Sequence, residues 1–261
     1  MCFEFDSRPP ELPPGLARAP MAGGAAAELV ELRSADGATF SAAIAESAEP
    51  SGSAVVILPD VRGLYRFYVE LAERFAEAGH HAVTIDFFGR TAGTGERDED
   101  FDYWPHVLKS TPEQIRADAA AAIAALRERV GETPVTAVGF CFGGAQVLLA
   151  SASDDVPFDA FVAFYGSLSG ARTGIPSPLE HAHEMRGPIL GLYGAEDAGI
   201  PVDQLQAFDE ALDEAGAEHE IVIYPGAPHS FFDRKYDEFA DACADAWRRV
   251  LAFLDEVPVA A

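Results

Sequence analysis

Basic residues, and lysine above all, are scarce in this sequence. Its 261 residues include 43 acidic but only 18 basic ones, and Lys109 and Lys235 are the two lysines, so the net charge is −25. A nucleic-acid-binding protein presents a cationic surface to the phosphates, which this composition does not provide. We therefore expect no nucleic-acid partner, and we interpret the acidic surplus as a solubility or salt-adaptation trait that says little about chemistry.

Cysteine is also scarce. Cys2, Cys141 and Cys243 are odd in number, far apart and outside any CxxC or Cys/His ligand spacing. Neither a disulfide framework nor a metal site is indicated, and we expect no cofactor. A free thiol in a reducing compartment fits this pattern.

Long hydrophobic runs are missing as well. The apolar stretches end well short of the ~18 residues that a membrane span needs, and the first residues lack a basic and then apolar signal segment. We expect a cytoplasmic protein without membrane contact, as a monomer or homodimer. Five prolines within residues 1–27 predict an extended N-terminal arm, and residues 28–261 predict a single domain.

The pattern of apolar residues predicts an α/β fold. Two strands joined at Asp36-Gly37 indicate an antiparallel N-terminal edge, and strands then alternate with helices, which is typical of a mostly parallel central sheet with helices on both faces. Thr111-Pro112-Glu113-Gln114 predicts a capped helix start. The predicted strands span 28–33, 39–45, 54–58, 81–85, 135–140, 160–165, 188–193 and 219–224, and the predicted helices span 67–78, 112–129, 202–215 and 236–254.

The segment 139–144, Gly-Phe-Cys-Phe-Gly-Gly, carries the clearest chemical signal. Glycines two residues before and two after Cys141 allow the strained strand-to-helix turn of a nucleophile elbow. A thiol at a helix N-terminus is favoured as thiolate, because the helix dipole stabilises negative charge. Cysteine is also among the most often buried residue types, so on this segment alone a purely structural Cys141 is an equal alternative.

An acid and a histidine follow later strands in the order that α/β-hydrolases use. Asp197 comes after the strand at 188–193, and His229 comes after the strand at 219–224. We expect His229 to accept the thiol proton and Asp197 to orient the imidazole, with Glu196 as the rival acid. The backbone N–H groups of Phe142 and Val61 are the predicted oxyanion hole.

These residues resemble the dienelactone hydrolase family of cysteine-dependent α/β-hydrolases. The similarity covers roughly residues 28–254, including 55–60 (Val-Val-Ile-Leu-Pro-Asp), 86–90 (Asp-Phe-Phe-Gly-Arg) and 225–231. It implies an α/β-hydrolase fold and a small-molecule ester or lactone substrate. The family opens an unsaturated lactone during the breakdown of aromatic compounds.

The resemblance also implies two substrate-binding residues. A carboxylate at the position of Asp60, normally glutamate, contacts the resting thiol and helps to deprotonate it, and the arginine at the position of Arg90 binds the substrate carboxylate. Asp60 is one methylene shorter than the family's glutamate, and a turn-capping role is its alternative.

One family position departs from the pattern. Four residues after the histidine, where the family has a second arginine, this chain has Asp233, with Arg234 one step later. Arg62 or Arg66 could substitute, or each could be a surface charge. The pair Tyr103-Trp104 predicts either a lid over the site or a satellite of the core.

We expect a carboxylic-ester hydrolase of the dienelactone type that works through a Cys-His-Asp triad and an acyl-thioester intermediate. A general carboxylesterase or thioesterase acting on neutral esters, in which Arg90 has a structural role, is one alternative. A non-catalytic, hydrolase-like binding or redox-sensor protein is the other.

Overall fold

A single twisted sheet forms the centre of the protein. The computed structural model describes residues 7–18, 26–95, 97–233 and 235–257. Within these ranges eight strands run in the order β1-β2-β4-β3-β5-β6-β7-β8, and every neighbouring pair from β4 to β8 is parallel. The strands are β1 (Glu28–Arg33), β2 (Thr39–Ala45), β3 (Ala54–Leu58), β4 (Ala82–Ile85), β5 (Val135–Phe140), β6 (Ala160–Phe164), β7 (Ile189–Gly194) and β8 (His219–Tyr224).

The central strands are buried on both faces. Every residue of β3, β5 and β6 is buried, as expected for parallel strands that helices cover. The helices are α1 (Arg66–Glu77), α2 (Gly89–Ala92), α3 (Trp104–Val107), α4 (Pro112–Val130), α5 (Phe142–Ser151), α6 (Val202–Ala215) and α7 (Ala240–Glu256). The predicted mostly parallel α/β sheet is confirmed.

The predicted antiparallel edge is also confirmed. β1 pairs with β2, and β2 pairs with β4, both antiparallel. The connecting turn is closed by a hydrogen bond of 2.8 Å from Ser34 N to Ala38 O. Gly37 has φ +88° in this turn, which a residue with a side chain rarely adopts.

Among the seven helices in the described ranges, α4 alone has a side-chain cap at its N-terminus. α4 begins with a reciprocal capping box between Thr111 and Gln114, as its sequence predicts. α7 begins at Ala240 rather than at residue 236, because residues 235–239 form turns. The short helices α2 and α3 were not predicted. None of the helices in the described ranges is both long and apolar enough to cross a membrane.

The described part of the predicted N-terminal arm lies against the domain. Ser7 and Pro10 are buried, and the indole N–H of Trp247 on α7 donates to the carbonyl oxygen of Pro10 over 3.1 Å. Further along, Arg18 N donates to Glu77 O over 2.8 Å. Residues 1–6 and 19–25 of this arm, including Cys2, lie outside the described residues.

Candidate active site

The carboxyl ends of the parallel strands bring the predicted site residues together. Val61 lies just past β3, Cys141 past β5, Asp197 past β7 and His229 past β8. All four line one cavity of about 550 Å³. Open α/β sheets place ligands at this edge.

Cys141 occupies a strained turn between β5 and α5. Its φ of +52° and ψ of −107° are rare for a residue with a side chain. A Cβ at Gly139 would lie 2.3 Å from Gly143 O, and a Cβ at Gly143 would lie 2.0 Å from Leu58 O. The two glycines are therefore required by close backbone contacts, as the elbow pattern predicts.

The elbow presents the thiol and one backbone donor to the cavity. Cys141 is partly exposed, whereas all ten residues of α5 are buried. Phe142 is the first residue of α5, so its N–H has no acceptor within the helix. Both predicted oxyanion-hole residues, Phe142 and Val61, line the cavity beside Cys141.

The acid that contacts His229 is Asp197. Asp197 Oδ2 lies 2.6 Å from His229 Nδ1, and its Oδ1 accepts a hydrogen bond of 2.8 Å from Gly199 N. Asp197 is buried, whereas Glu196 is exposed at the cavity wall. A buried carboxylate with a single imidazole partner fixes the tautomer and orientation of that ring.

His229 is strongly biased toward its protonated form. Burial lowers the pKa of His229, but the negative charge of Cys141 and hydrogen bonds to Asp197 and Cys141 outweigh burial and raise it to about 11. The ring of Tyr165 packs 5.0 Å from the imidazole, centroid to centroid. The arrangement can therefore hold a thiolate beside an imidazolium.

Asp60 lies at this edge of the sheet, but Arg62 engages its carboxylate. Arg62 N donates to Asp60 Oδ1 over 2.8 Å, the Asx turn of the turn-capping alternative, and Arg62 Nη2 donates to Oδ2 over 2.9 Å. Arg62 is buried and also pairs with Asp233. Asp60 does not line the cavity, so the geometry does not support its contact with the thiol.

Arg90 lies in an ion-pair network outside the cavity, which does not support its predicted role in substrate binding. Its side chain pairs with the buried Asp118 of α4, and its Nε donates to Asp36 Oδ2 over 3.0 Å. It does not line the cavity. The fold therefore uses Arg90 to join α2, α4 and the β1–β2 turn.

The remaining arginines near this end of the sheet differ in burial and in whether they line the cavity. Arg66 is exposed and pairs with Glu70 one helical turn later, whereas Arg62 is neither a surface charge nor a cavity residue. Arg234 lies outside the described residues. Arg172, which sequence analysis did not single out, lines the cavity from the irregular loop between β6 and β7, where no periodic pattern or motif marks it.

Tyr103 and Trp104 lie at the cavity wall. Both are half-buried and line the cavity, and Trp104 is the first residue of α3. They pack on the core, in agreement with the satellite alternative, and also border the site, whereas the lid stays a prediction. Ser167, Ser169, Thr173 and Ile175 complete the wall on the side of Arg172.

Comparison with known proteins places these features in one family. The dienelactone hydrolase family model matches residues 40–257. A Yersinia pestis protein named "Putative carboxymethylenebutenolidase" is 28% identical over 212 residues, which is 79% of each chain. A homologue of the same name from Escherichia coli K12 is 28% identical over 211 residues, covering 77% of this chain and 76% of the relative.

Solved structures agree with the sheet topology. A crystal structure titled "Putative Dienelactone Hydrolase" from Klebsiella pneumoniae has a TM-score of 0.73 and 28% identity, and the match covers 88% of this chain and 99% of the other. An esterase from Pyrococcus furiosus shares the fold at 19% identity, with a TM-score of 0.66 and coverage of 88% and 92%. The predicted α/β-hydrolase fold is confirmed.

Proposed function

The chain belongs to the dienelactone hydrolase family of carboxylic-ester hydrolases, and we propose that it opens lactones or cleaves esters through Cys141, His229 and Asp197. The contact of Asp197 with His229 beside Cys141, at the wall of one cavity, carries this proposal. A nucleophile, a base and a group that orients the base are the parts that acyl transfer needs.

In the first half-reaction the Cys141 sulfur forms a bond to the substrate carbonyl carbon. The carbonyl electrons move to oxygen, and the N–H groups of Phe142 and Val61 stabilise this oxyanion. Collapse of the intermediate breaks the ester bond, and His229 gives its proton to the leaving oxygen. When the substrate is a lactone, the acyl group and the released hydroxyl group stay in one molecule, which is bound to Cys141 as a thioester.

Water completes the cycle in the second half-reaction. The neutral His229 accepts a proton from water as the water oxygen attacks the thioester carbonyl. The C–S bond then breaks, the carboxylic acid leaves and the thiolate–imidazolium pair is restored. In this proposal Asp60 does not accept the thiol proton, because Arg62 occupies its carboxylate.

The test is hydrolysis of a dienelactone beside an uncharged activated ester, followed by acid quench and mass spectrometry for an acyl group on Cys141. We expect Cys141→Ala to abolish both activities. We expect Asp197→Asn to lower kcat at least about 100-fold, because the imidazole loses its orienting carboxylate. The matched control is Glu196→Gln, which removes the neighbouring charge and should retain turnover of the uncharged ester within about threefold.

Two outcomes would contradict the proposal. Full activity in Cys141→Ala would exclude the thiol as nucleophile. No hydrolysis of either substrate, together with slow alkylation of Cys141 at neutral pH, would favour the binding or redox-sensor alternative. Turnover of the neutral ester without turnover of the dienelactone would favour the general esterase.

A further inference from the structure

The charged residues that line the cavity differ in whether they form a salt bridge. Four lining residues carry ionisable acidic or basic groups, namely Glu196, Asp197, His229 and Arg172, apart from Cys141 and Tyr103. Asp197 and His229 bind each other within the site. Within the part of the chain that the structure describes, Arg172 is then the one arginine or lysine at the cavity wall.

Arg172 forms no salt bridge with any described residue, a property that it shares with Arg8, Arg33 and Arg248, but it alone of these four lines the cavity. Most of the described arginines are paired with a carboxylate, for example Arg97 with Asp86 and Arg116 with Asp155. Its guanidinium instead lies over the ring of Trp104, with Cζ 5.0 Å from the ring centroid. Stacking on an aromatic face orients a guanidinium while its N–H edge stays available for a planar anion.

Hydroxyl groups flank this guanidinium along the same wall. Ser167, Ser169 and Thr173 line the cavity together with Arg172. The Oγ of Ser169 accepts a hydrogen bond of 3.3 Å from Ala171 N, which leaves its hydroxyl proton available for another acceptor. Ser167 donates its hydroxyl proton to Ser169 O over 2.7 Å, so the wall offers the positive charge of Arg172 together with the hydroxyl of Ser169.

We propose that Arg172, oriented by Trp104, binds a carboxylate of the substrate and gives the enzyme its preference for anionic esters or lactones. This inference rests on the proposed function, because it names the specificity-determining residue of the same site. Arg90 is unavailable for that role, since Asp118 and Asp36 hold its side chain. Glu196 lines the same cavity, and in this proposal its negative charge limits the preference.

The experiment compares two esters of one alcohol, ethyl butyrate and monoethyl succinate, whose acyl groups have the same chain length and differ in a terminal carboxylate. The readout is the ratio of kcat/KM for the anionic ester to that for the neutral ester. We expect Arg172→Gln to lower this ratio about tenfold and to leave the neutral ester within about twofold. The effect should shrink in 1 M NaCl, because salt screens an exposed guanidinium.

Three further variants test the geometry. Arg172→Lys keeps the charge but loses the planar fork and the stack, so it should restore only part of the ratio. Trp104→Leu should lower the ratio with Arg172 intact, because the guanidinium loses its support. Glu196→Gln should raise the ratio, because it removes the opposing charge.

The matched control is Arg186→Gln, which removes an equal charge from an exposed arginine that pairs with Asp154 and does not line the cavity. An unchanged ratio in Arg172→Gln, or an equal fall in Arg186→Gln, would overturn the role of Arg172 while the proposed function stands. Absence of turnover of both esters in the wild type, or persistence of turnover in Cys141→Ala, would instead overturn the proposed function. Thermal unfolding of each variant shows whether it is folded.

Discussion

The guanidinium of Arg62 holds the carboxylate of Asp60 across the single residue that separates them. Arg62 Nε lies 3.1 Å from both oxygens of Asp60, and the backbone N–H of Arg62 donates to Oδ1 over 2.8 Å. The residue between them is Val61, whose N–H is the proposed second oxyanion donor. The ion pair therefore constrains the loop on both sides of that donor.

Replacing Arg62 should destabilise the protein strongly. In Arg62→Gln the buried carboxylates of Asp60 and Asp233 lose their shared cation, which should lower the free energy of unfolding by about 3–5 kcal/mol. Urea denaturation measures the change. Arg66→Gln, which breaks an exposed pair with Glu70, should cost about 0.5 kcal/mol or less, and an equal loss in the two variants would contradict the prediction.

The same cluster should make stability depend on pH through Asp233. Burial, opposed by Arg62 and reinforced by the charge of Asp60, raises the pKa of Asp233 to about 6. The folded protein then binds the proton more tightly than the unfolded chain. The stability that this protonation contributes is present below pH 4 and is lost as the pH rises through about 6.

Asp233→Asn removes the titrating carboxyl group, so the difference between wild type and variant gives its contribution to stability. Relative to the variant, the wild type should lose about 2 kcal/mol of unfolding free energy between pH 4 and pH 7. Urea denaturation at several pH values gives the difference. Asp237→Asn, at an exposed position, should show no such trend, and a difference between wild type and Asp233→Asn that rises with pH would refute the assignment.

Arg90 should matter for stability and not for substrate choice. Burial raises the pKa of Asp118, and Arg90 and Ser34 oppose that effect. Arg90→Gln leaves this carboxylate without its cation and should cost about 3 kcal/mol of unfolding free energy. The ratio of anionic to neutral ester turnover should stay within about twofold of wild type; a tenfold fall would return Arg90 to the substrate site.

Adding one methyl group at Gly143 should disable the elbow. The Cβ of Gly143→Ala would lie 2.0 Å from Leu58 O and 2.3 Å from Pro59 O, so α5 must move away from the loop that carries Val61. We expect kcat to fall at least about 100-fold, because the thiol and the two N–H donors lose their mutual geometry. Esterase kinetics measure the fall.

Gly174→Ala is the comparison variant for Gly143. Its Cβ meets nothing within 4 Å, and its φ of +76° costs about 1 kcal/mol of stability. It should retain kcat within about threefold. Similar kinetics in both alanine variants would show that the close backbone contact at Gly143 is not required.

Local signals in the sequence predict most of the fold. The capping box at Thr111 and the Asp36-Gly37 turn depend on residues a few positions apart, and both occur where the sequence predicts them. The elbow is local for the same reason. Its glycines and the strand-to-helix turn lie within five residues.

Contacts between distant residues account for what the sequence could not predict. Arg90 matches the family pattern, but its environment is set by Asp118, which lies 28 residues later on another helix. Arg62 similarly depends on Asp233, 171 residues away. Arg172 lies in an irregular loop. Two helices and two strands separate it in the sequence from Trp104, on which its guanidinium stacks.

The N-terminal segment closes the buried ion-pair cluster, which has a consequence for folding during synthesis. Ser7 Oγ accepts a hydrogen bond of 3.2 Å from Arg62 Nη1, and Pro10 O accepts one from Trp247, 237 residues later. The ribosome adds about 5–20 residues per second, so Trp247 is synthesised more than about ten seconds after Pro10. The first described residues of the chain thus complete their contacts among the last, after α7 has been made.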